Sequence, residues 1–439
     1  MLIYIIKWGI NMSLRETRKE IDLVKTMREV KGNPKICLVT EPLWTVPFSL
    51  YMPFVSVYMA ALLLTDSQIG LVASTFMFFS AIAALFSGAI TDKLGRKKTT
   101  FIFDTLSWSI PCLLWAFSQN FWWFMAAAAF NGMMQITAIS WTCLLVEDVQ
   151  KGYMAKVYSL LHMIEQLSVL FLPIAFLLVN RLSIIPAMRI LFVFSFISMT
   201  IKFIILYKYG DETEVGRTRM EETKGMSIWQ IMGGYGEIFR RIFASRDMML
   251  SLVITTIFSI LGMIITNFFG LYVTGKLLIP EYFLAVFPVI RAIVIAAFLI
   301  FIQPKLQRFG FRNPMLIGLM IHIAGIIFLI TSTAEAMMTL IIYILIDALA
   351  FSLVTPRSDS LTQLLIEPSE RARIRGLMMV LVLGVSIPFG YLAGLLSDMD
   401  RRLPFVLCIA LLVVTFIVIA ASKQRLQAMS KAENMDMGH

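Results

Sequence analysis

The chain has 439 residues, of which 59% are hydrophobic and only 15% charged, with a net charge of +10. A soluble domain is about half apolar and a quarter charged, so this composition excludes an ordinary soluble enzyme and points to a chain that crosses a bilayer many times. The basic excess alone could indicate nucleic-acid binding, but its distribution, between long apolar runs, excludes that partner.

Residues 1–37 form a charged arm, with Arg15, Arg18, Lys19, Lys25 and Arg28 placed to lie on anionic lipid. Met12 offers a second possible start. Twelve apolar stretches follow, each near the ~20 residues that span hydrocarbon. They are expected at 38–63, 68–90, 99–118, 121–145, 154–179, 186–207, 248–274, 281–303, 313–332, 336–363, 376–397 and 403–422. The segment 208–247, polar or amphipathic, divides them into bundles at 38–207 and 248–422, and 423–439 forms a tail. Lys and Arg fix the orientation. With the N-terminus inside, 30 of the 38 fall in inside segments, while outside loops hold only Arg181, Lys276, Arg401 and Arg402. Both termini are therefore expected in the cytoplasm. The four cysteines lie in or beside apolar runs and read as packed thiols, not as disulfides or metal ligands.

The tight basic connection between the second and third stretches is Gly88-Ala-Ile-Thr-Asp92-Lys93-Leu-Gly95-Arg96-Lys97-Lys98. Gly88 permits close helix approach and Gly95 permits the turn. The pattern resembles the signature loop between helices 2 and 3 of the major facilitator superfamily. A decayed copy, Gln307-Arg308-Phe-Gly310-Phe-Arg312, follows span 8, and Leu144-Leu145-Val146-Glu147 after span 4 matches Leu364-Leu365-Ile366-Glu367 after span 10. Both repeats argue for a duplicated six-helix unit. The resemblance implies an all-α polytopic membrane protein with twelve transmembrane helices in two pseudo-symmetric six-helix bundles. It also implies an inside gate of Gly88, Asp92, Lys93, Gly95, Arg96, Lys97, Glu147 and Asp148. In that gate Asp92 would meet the start of helix 11 near Gly376, and Arg96 would approach Glu147 or Asp148. Span 5 lacks the Gly-x-x-x-Gly-Pro pattern that many drug:proton antiporters carry, while Gly384-Val-Ser-Ile-Pro388-Phe-Gly390 stands in span 11.

Ionisable and amide groups inside the bilayer are functional candidates by default. His162, Glu165 and Gln166 in span 5 share a helical face near mid-depth, where apolar surroundings would disfavour the Glu165 carboxylate. Asn131 and Gln135 share a face of span 4. Arg291 in span 8 and Asp347 in span 10 are deep and could pair across the bundle, or Arg291 could hold an anionic solute. Arg357 reads as a gate residue or a snorkelling side chain, and Glu41 reads as interfacial. There is no phosphate-cradling loop, so neither an ATP-driven pump nor an enzyme is indicated, and no cofactor or metal is expected. The reading is a monomeric secondary transporter in a cytoplasmic membrane. It would move a small organic solute by alternating access, coupled to protons, with export of amphipathic compounds favoured. The alternatives are uptake of a polar or anionic metabolite such as a sugar or organic acid, and a receptor of the same fold.

Overall fold

Backbone groups in hydrocarbon have no water to bond, so each apolar stretch must close its own hydrogen bonds as a helix. The computed structural model describes residues 27, 29–149, 153–306, 310, 312–364 and 371–422. Most of the N-terminal arm, the tail, Gln307, Arg308 and Glu367 lie outside the described residues. Eleven helices among them are long and apolar enough to cross a membrane. They are span 1 (Asn33–Ala61), span 2 (Asp66–Leu94), span 4 (Phe121–Val146), span 5 (Lys156–Leu182), span 6 (Ile184–Tyr209), span 7 (Arg246–Gly275), span 8 (Glu281–Phe301), span 9 (Arg312–Ile330), span 10 (Met337–Ser358), span 11 (Gly376–Met399) and span 12 (Leu403–Ala421). Span 3 completes the twelve as a continuous run over 96–116. It is α-helical over Arg96–Asp104 and Ile110–Ala116 and π-helical over Thr105–Ser109. Its basic start, Asp104 and its hydroxyls dilute its hydropathy.

Local signals set the helix ends. Span 2 begins with a capping box in which Thr65 and Gln68 satisfy each other's backbone N–H groups, and it stops at Gly95, whose φ of 83° only glycine adopts readily. Span 1 begins five residues before the expected position because Pro34 sits at the helix start, where its missing N–H costs nothing. Between spans 6 and 7 the chain folds into three short helices, Glu214–Glu222, Ile228–Ile231 and Tyr235–Ala244. The end that carries the signature loop and this central segment is called the basic end below, and the opposite end the far end.

Spans 1–6 and 7–12 form the two six-helix bundles. At the far end they meet along three seams. Span 2 crosses span 11, where a Cβ on Gly390 would lie 2.8 Å from Gly70 O and one on Gly394 2.7 Å from Ser67 Cα. These small residues let the two backbones touch. Phe176 of span 5 packs its ring at 5.0 Å from Tyr282 and 5.9 Å from Phe283 at the start of span 8. Gly270 of span 7 faces Val57 and Ser56 of span 1. The four cysteines are free, three of them buried.

Candidate functional site

Three spans of the second bundle bring ionisable groups together at mid-depth. Arg291 is the midpoint of span 8, and its Nε donates to Asp347 Oδ2 of span 10 at 2.9 Å. His322 of span 9 is buried, with Nε2 3.2 Å from Asp347 Oδ1. That contact lies off a good hydrogen-bond direction, so it acts as an electrostatic neighbour. The Arg291 guanidinium lies 4.3 Å from the Phe351 ring centroid, a cation–π distance, and its side chain stays 38% exposed. Tyr343, one turn before Asp347, is tilted against Phe269 of span 7. A buried carboxylate persists only when paired, and here one arginine and one histidine share it. Arg291 is therefore the member of the group that can still reach a solute.

Span 5 holds its candidates differently. His162 Nδ1 and Glu165 Oε2 are 3.1 Å apart, with side chains 71% and 41% exposed. By helical phase they lie on the face that Phe176 continues, which meets span 8 at the far end and is uncovered toward the basic end. Gln166 is exposed beside them. The expectation of apolar, enclosing surroundings for Glu165 is corrected: the buried face of span 5 is Val157, Leu160 and Leu161, packed on spans 1 and 4, and the carboxylate points away from it. Asn131 Nδ2 donates to Ser107 O in the π-turn of span 3 at 2.7 Å, so it serves helix packing, while Gln135 is half-buried on the same span.

The signature loop gathers a dense polar cluster at the basic end. Arg96 is buried, and its Nε reaches both oxygens of Glu147 at 3.2 and 3.1 Å, while Nη1 meets Asp92 Oδ1 at 3.1 Å. The central segment completes the cluster with residues outside the signature pattern. Glu212 accepts from the backbone N–H of Arg96 (2.8 Å) and Lys97 (3.0 Å), placing a carboxylate at the positive N-terminus of span 3. Thr213 Oγ1 donates to Glu147, and Asn33 bridges Asp148 Oδ2 and the backbone of Asp211. Lys93 Nζ donates to Met226 O, Lys97 lies over the Tyr207 ring, and Gly95 leaves room for Glu212. Gly88 faces the Tyr235 hydroxyl. The resemblance puts the start of span 11, near Gly376, beside Asp92. Instead Asp92 pairs with Arg96, and Ile238 and Ile242 of the loop helix pack on Ile374, Leu377 and Met378 of the helix Arg371–Met399 that contains span 11.

Three further charged groups correct or extend the sequence reading. Glu41 is buried and bonded to Lys202 Nζ at 2.8 Å, not interfacial, because span 1 starts at Asn33 and carries it inward. Arg357 is also buried, with Nη1 on Leu353 O, so it does not snorkel. At the far end, buried Asp66 of span 2 receives Arg401 Nε at 3.0 Å and Nη2 at 3.3 Å, with Ser397 Oγ at 2.6 Å. Arg401 Nη1 also donates to Leu271 O of span 7. Asp398 accepts from the N–H groups of Asp66 and Ser67. This clasp ties spans 2, 7 and 11, and no sequence signal beyond short-loop charges announced it.

The family model of the Major Facilitator Superfamily matches residues 45–390. The chain belongs to this superfamily. Among solved structures, the fold of this superfamily member is similar to that of a nucleoside transporter, NupG, at 14% identity and a TM-score of 0.71, covering 89% of this chain and 99% of that one. It is also similar to a peptide transporter, POT, in complex with sulfate, at 12% identity and a TM-score of 0.68 over 90% and 95%. Multidrug resistance protein MdtG of Serratia proteamaculans is 40% identical over 92 residues, 20% of this chain and 22% of that protein. The same protein of Yersinia enterocolitica is 38% identical over 92 residues. The match thus spans about a fifth of these relatives' length. The chain is a multi-pass membrane protein of this superfamily.

Proposed function

We propose that this transporter exports amphipathic organic compounds in exchange for protons, from a bacterial cytoplasmic membrane with both termini inside. The observation that carries the reading is Asp347 at mid-depth, bonded to Arg291 and beside His322, with the Arg291 guanidinium over the Phe351 ring and Tyr343, one turn before Asp347, packed on Phe269. An amphipath offers an aromatic or aliphatic body to the rings and a charged end to the ion cluster. A proton added to Asp347 leaves the cluster with excess positive charge and loosens the hold on Arg291. Solute and proton then compete for one site, which is the requirement for exchange. The partial likeness to multidrug resistance proteins supports the same substrate class.

The far-end seams and the exposed His162–Glu165 face support a state closed at the far end, with span 5 parted from span 8 toward the basic end. Alternating access would exchange the far-end clasp for closure around Asp92, Arg96 and Glu147. A second reading, uptake of a polar or anionic metabolite, is favoured by the partly exposed Arg291 guanidinium, which suits a carboxylate or phosphate. A panel of amphipathic cations, amphipathic anions, sugars and organic acids, offered to proteoliposomes with and without an imposed pH gradient, decides between them. Gradient-driven movement of amphipaths is expected. Movement of organic acids or sugars alone would replace the first reading by the second.

A further inference from the structure

The first bundle buries a second ionic group that the scheme above does not use. Glu41 of span 1, Asp104 of span 3 and Lys202 of span 6 are each at most 5% exposed. Lys202 Nζ is bonded to Glu41 Oε2 at 2.8 Å and lies between the rings of Trp44 (5.6 Å) and Trp141 (5.2 Å). Asp104 accepts a hydrogen bond from Thr137 Oγ1 of span 4 at 2.6 Å and stands within electrostatic reach of Lys202 and Glu41. Two carboxylates thus share one ammonium, and the ammonium is committed to Glu41. The other titratable group facing the pocket is the Cys37 thiol of span 1.

We propose that this pocket is a second proton-binding site, with Asp104 as the group that takes and releases the proton. Buried charge must be balanced, and the pocket with both acids ionised carries one uncompensated negative charge. One proton restores neutrality. A hydronium in the pocket gives its proton to Asp104 Oδ2, the oxygen that Thr137 does not occupy. An O–H bond forms and a water molecule is left behind, and release reverses the step. The indole N–H groups of Trp44 and Trp141 are buried without an acceptor among the described residues, so the walls can hold the water that carries the proton. The π-turn Thr105–Ser109 begins at the next residue, and its Ser107 carbonyl is bonded to Asn131 of span 4. Such turns recur where a helix must adjust at a working site. Protonation at Oδ2 leaves Oδ1 a neutral and weaker acceptor for Thr137, and so loosens how spans 3 and 4 are tied.

The site deepens the exchange reading but is tested apart from it, by counting protons instead of transported solute. Purified full-length protein in lipid nanodiscs is stepped from weakly alkaline to weakly acidic buffer, and uptake per molecule is read with an indicator dye. Asp104→Asn takes up one proton fewer than the parent. Glu41→Gln loses the same proton with Asp104 intact, because Lys202 then serves Asp104 and the pocket is already neutral. Asp347→Asn keeps the proton of the first bundle, so the Asp104→Asn deficit persists on that background. Should Asp104→Asn fail to fold, Glu41→Gln decides. Unchanged uptake in either folded variant overturns the proposal. A proton lost with Asp104→Asn in a protein whose transport ignores the pH gradient upholds this site and overturns the exchange reading.

Discussion

Replacing Arg401 with Gln removes the cation from the far-end clasp while leaving Asp66 where it is. Two bonds to Asp66 and one to Leu271 O are lost. The Asp66 side chain is 7% exposed, so its carboxylate is left buried with Ser397 as its one remaining donor from the clasp. Removing one partner of a buried ion pair costs about 3–5 kcal/mol. Arg401 itself is 29% exposed, which places the cost at the lower end, about 3 kcal/mol. Asp66 can be hydrated once spans 2 and 11 part, so this cost falls on the far-end-closed state. At ~1.4 kcal/mol per factor of ten, the ratio of closed to open molecules should fall about 10²-fold. Spin labels on Leu63→Cys and Met338→Cys, both exposed at the far end of different bundles, report that opening by pulsed electron resonance. A longer-distance population should grow in Arg401→Gln. Distance distributions identical to those of the parent would refute the role given to the clasp.

Gly390→Ala should act on the same equilibrium by overpacking, since its Cβ would crowd Ser74 Oγ and Gly70 O; about 1–3 kcal/mol of destabilisation is expected, read as a lower unfolding temperature. Glu212→Gln removes the anion from the start of span 3 and loosens the central segment. Hydrogen exchange should rise across 211–244, and unchanged protection there would show that the carboxylate does not hold the segment. Outside the membrane, the Arg402 N–H and the Lys276 ammonium hold Asp400 below the usual carboxylate range. Because the folded-state value is depressed, this pair stabilises the protein above the unfolded value of about 4 and the gain is lost as pH falls through the folded one. Asp400→Asn should flatten that part of the stability–pH curve; an unaltered curve would remove the pair from the account.

The twelve helices were legible because the bilayer forces apolar length on each of them, and boundaries fell within a few residues except at the start of span 1 and the end of span 10. In span 1 Asn33, Pro34 and Lys35 look like loop, yet the proline opens the helix and shifts Glu41 inward. Arg291 and Asp347 could be picked out because charge inside hydrocarbon is costly. Their partner His322 could not, since a lone histidine in span 9 gives no sign of facing span 10. Glu41 and Lys202 are 161 positions apart, and Asp66 and Arg401 are 335 apart, so only the packed bundle reveals them. The central segment carries a readable signal: Ile238 and Ile242, at i and i+4 among charged neighbours, mark the face that packs on the helix of span 11.

The exchange mechanism is tested most directly by Asp347→Asn in proteoliposomes, with solute counterflow and pH-gradient-driven accumulation measured on the same preparation. Asn keeps the size of the side chain and a hydrogen bond to Arg291 but cannot titrate. Counterflow should persist, and accumulation driven by the gradient should be lost. Accumulation equal to that of the parent would contradict the account and leave Asp347 a structural partner of Arg291.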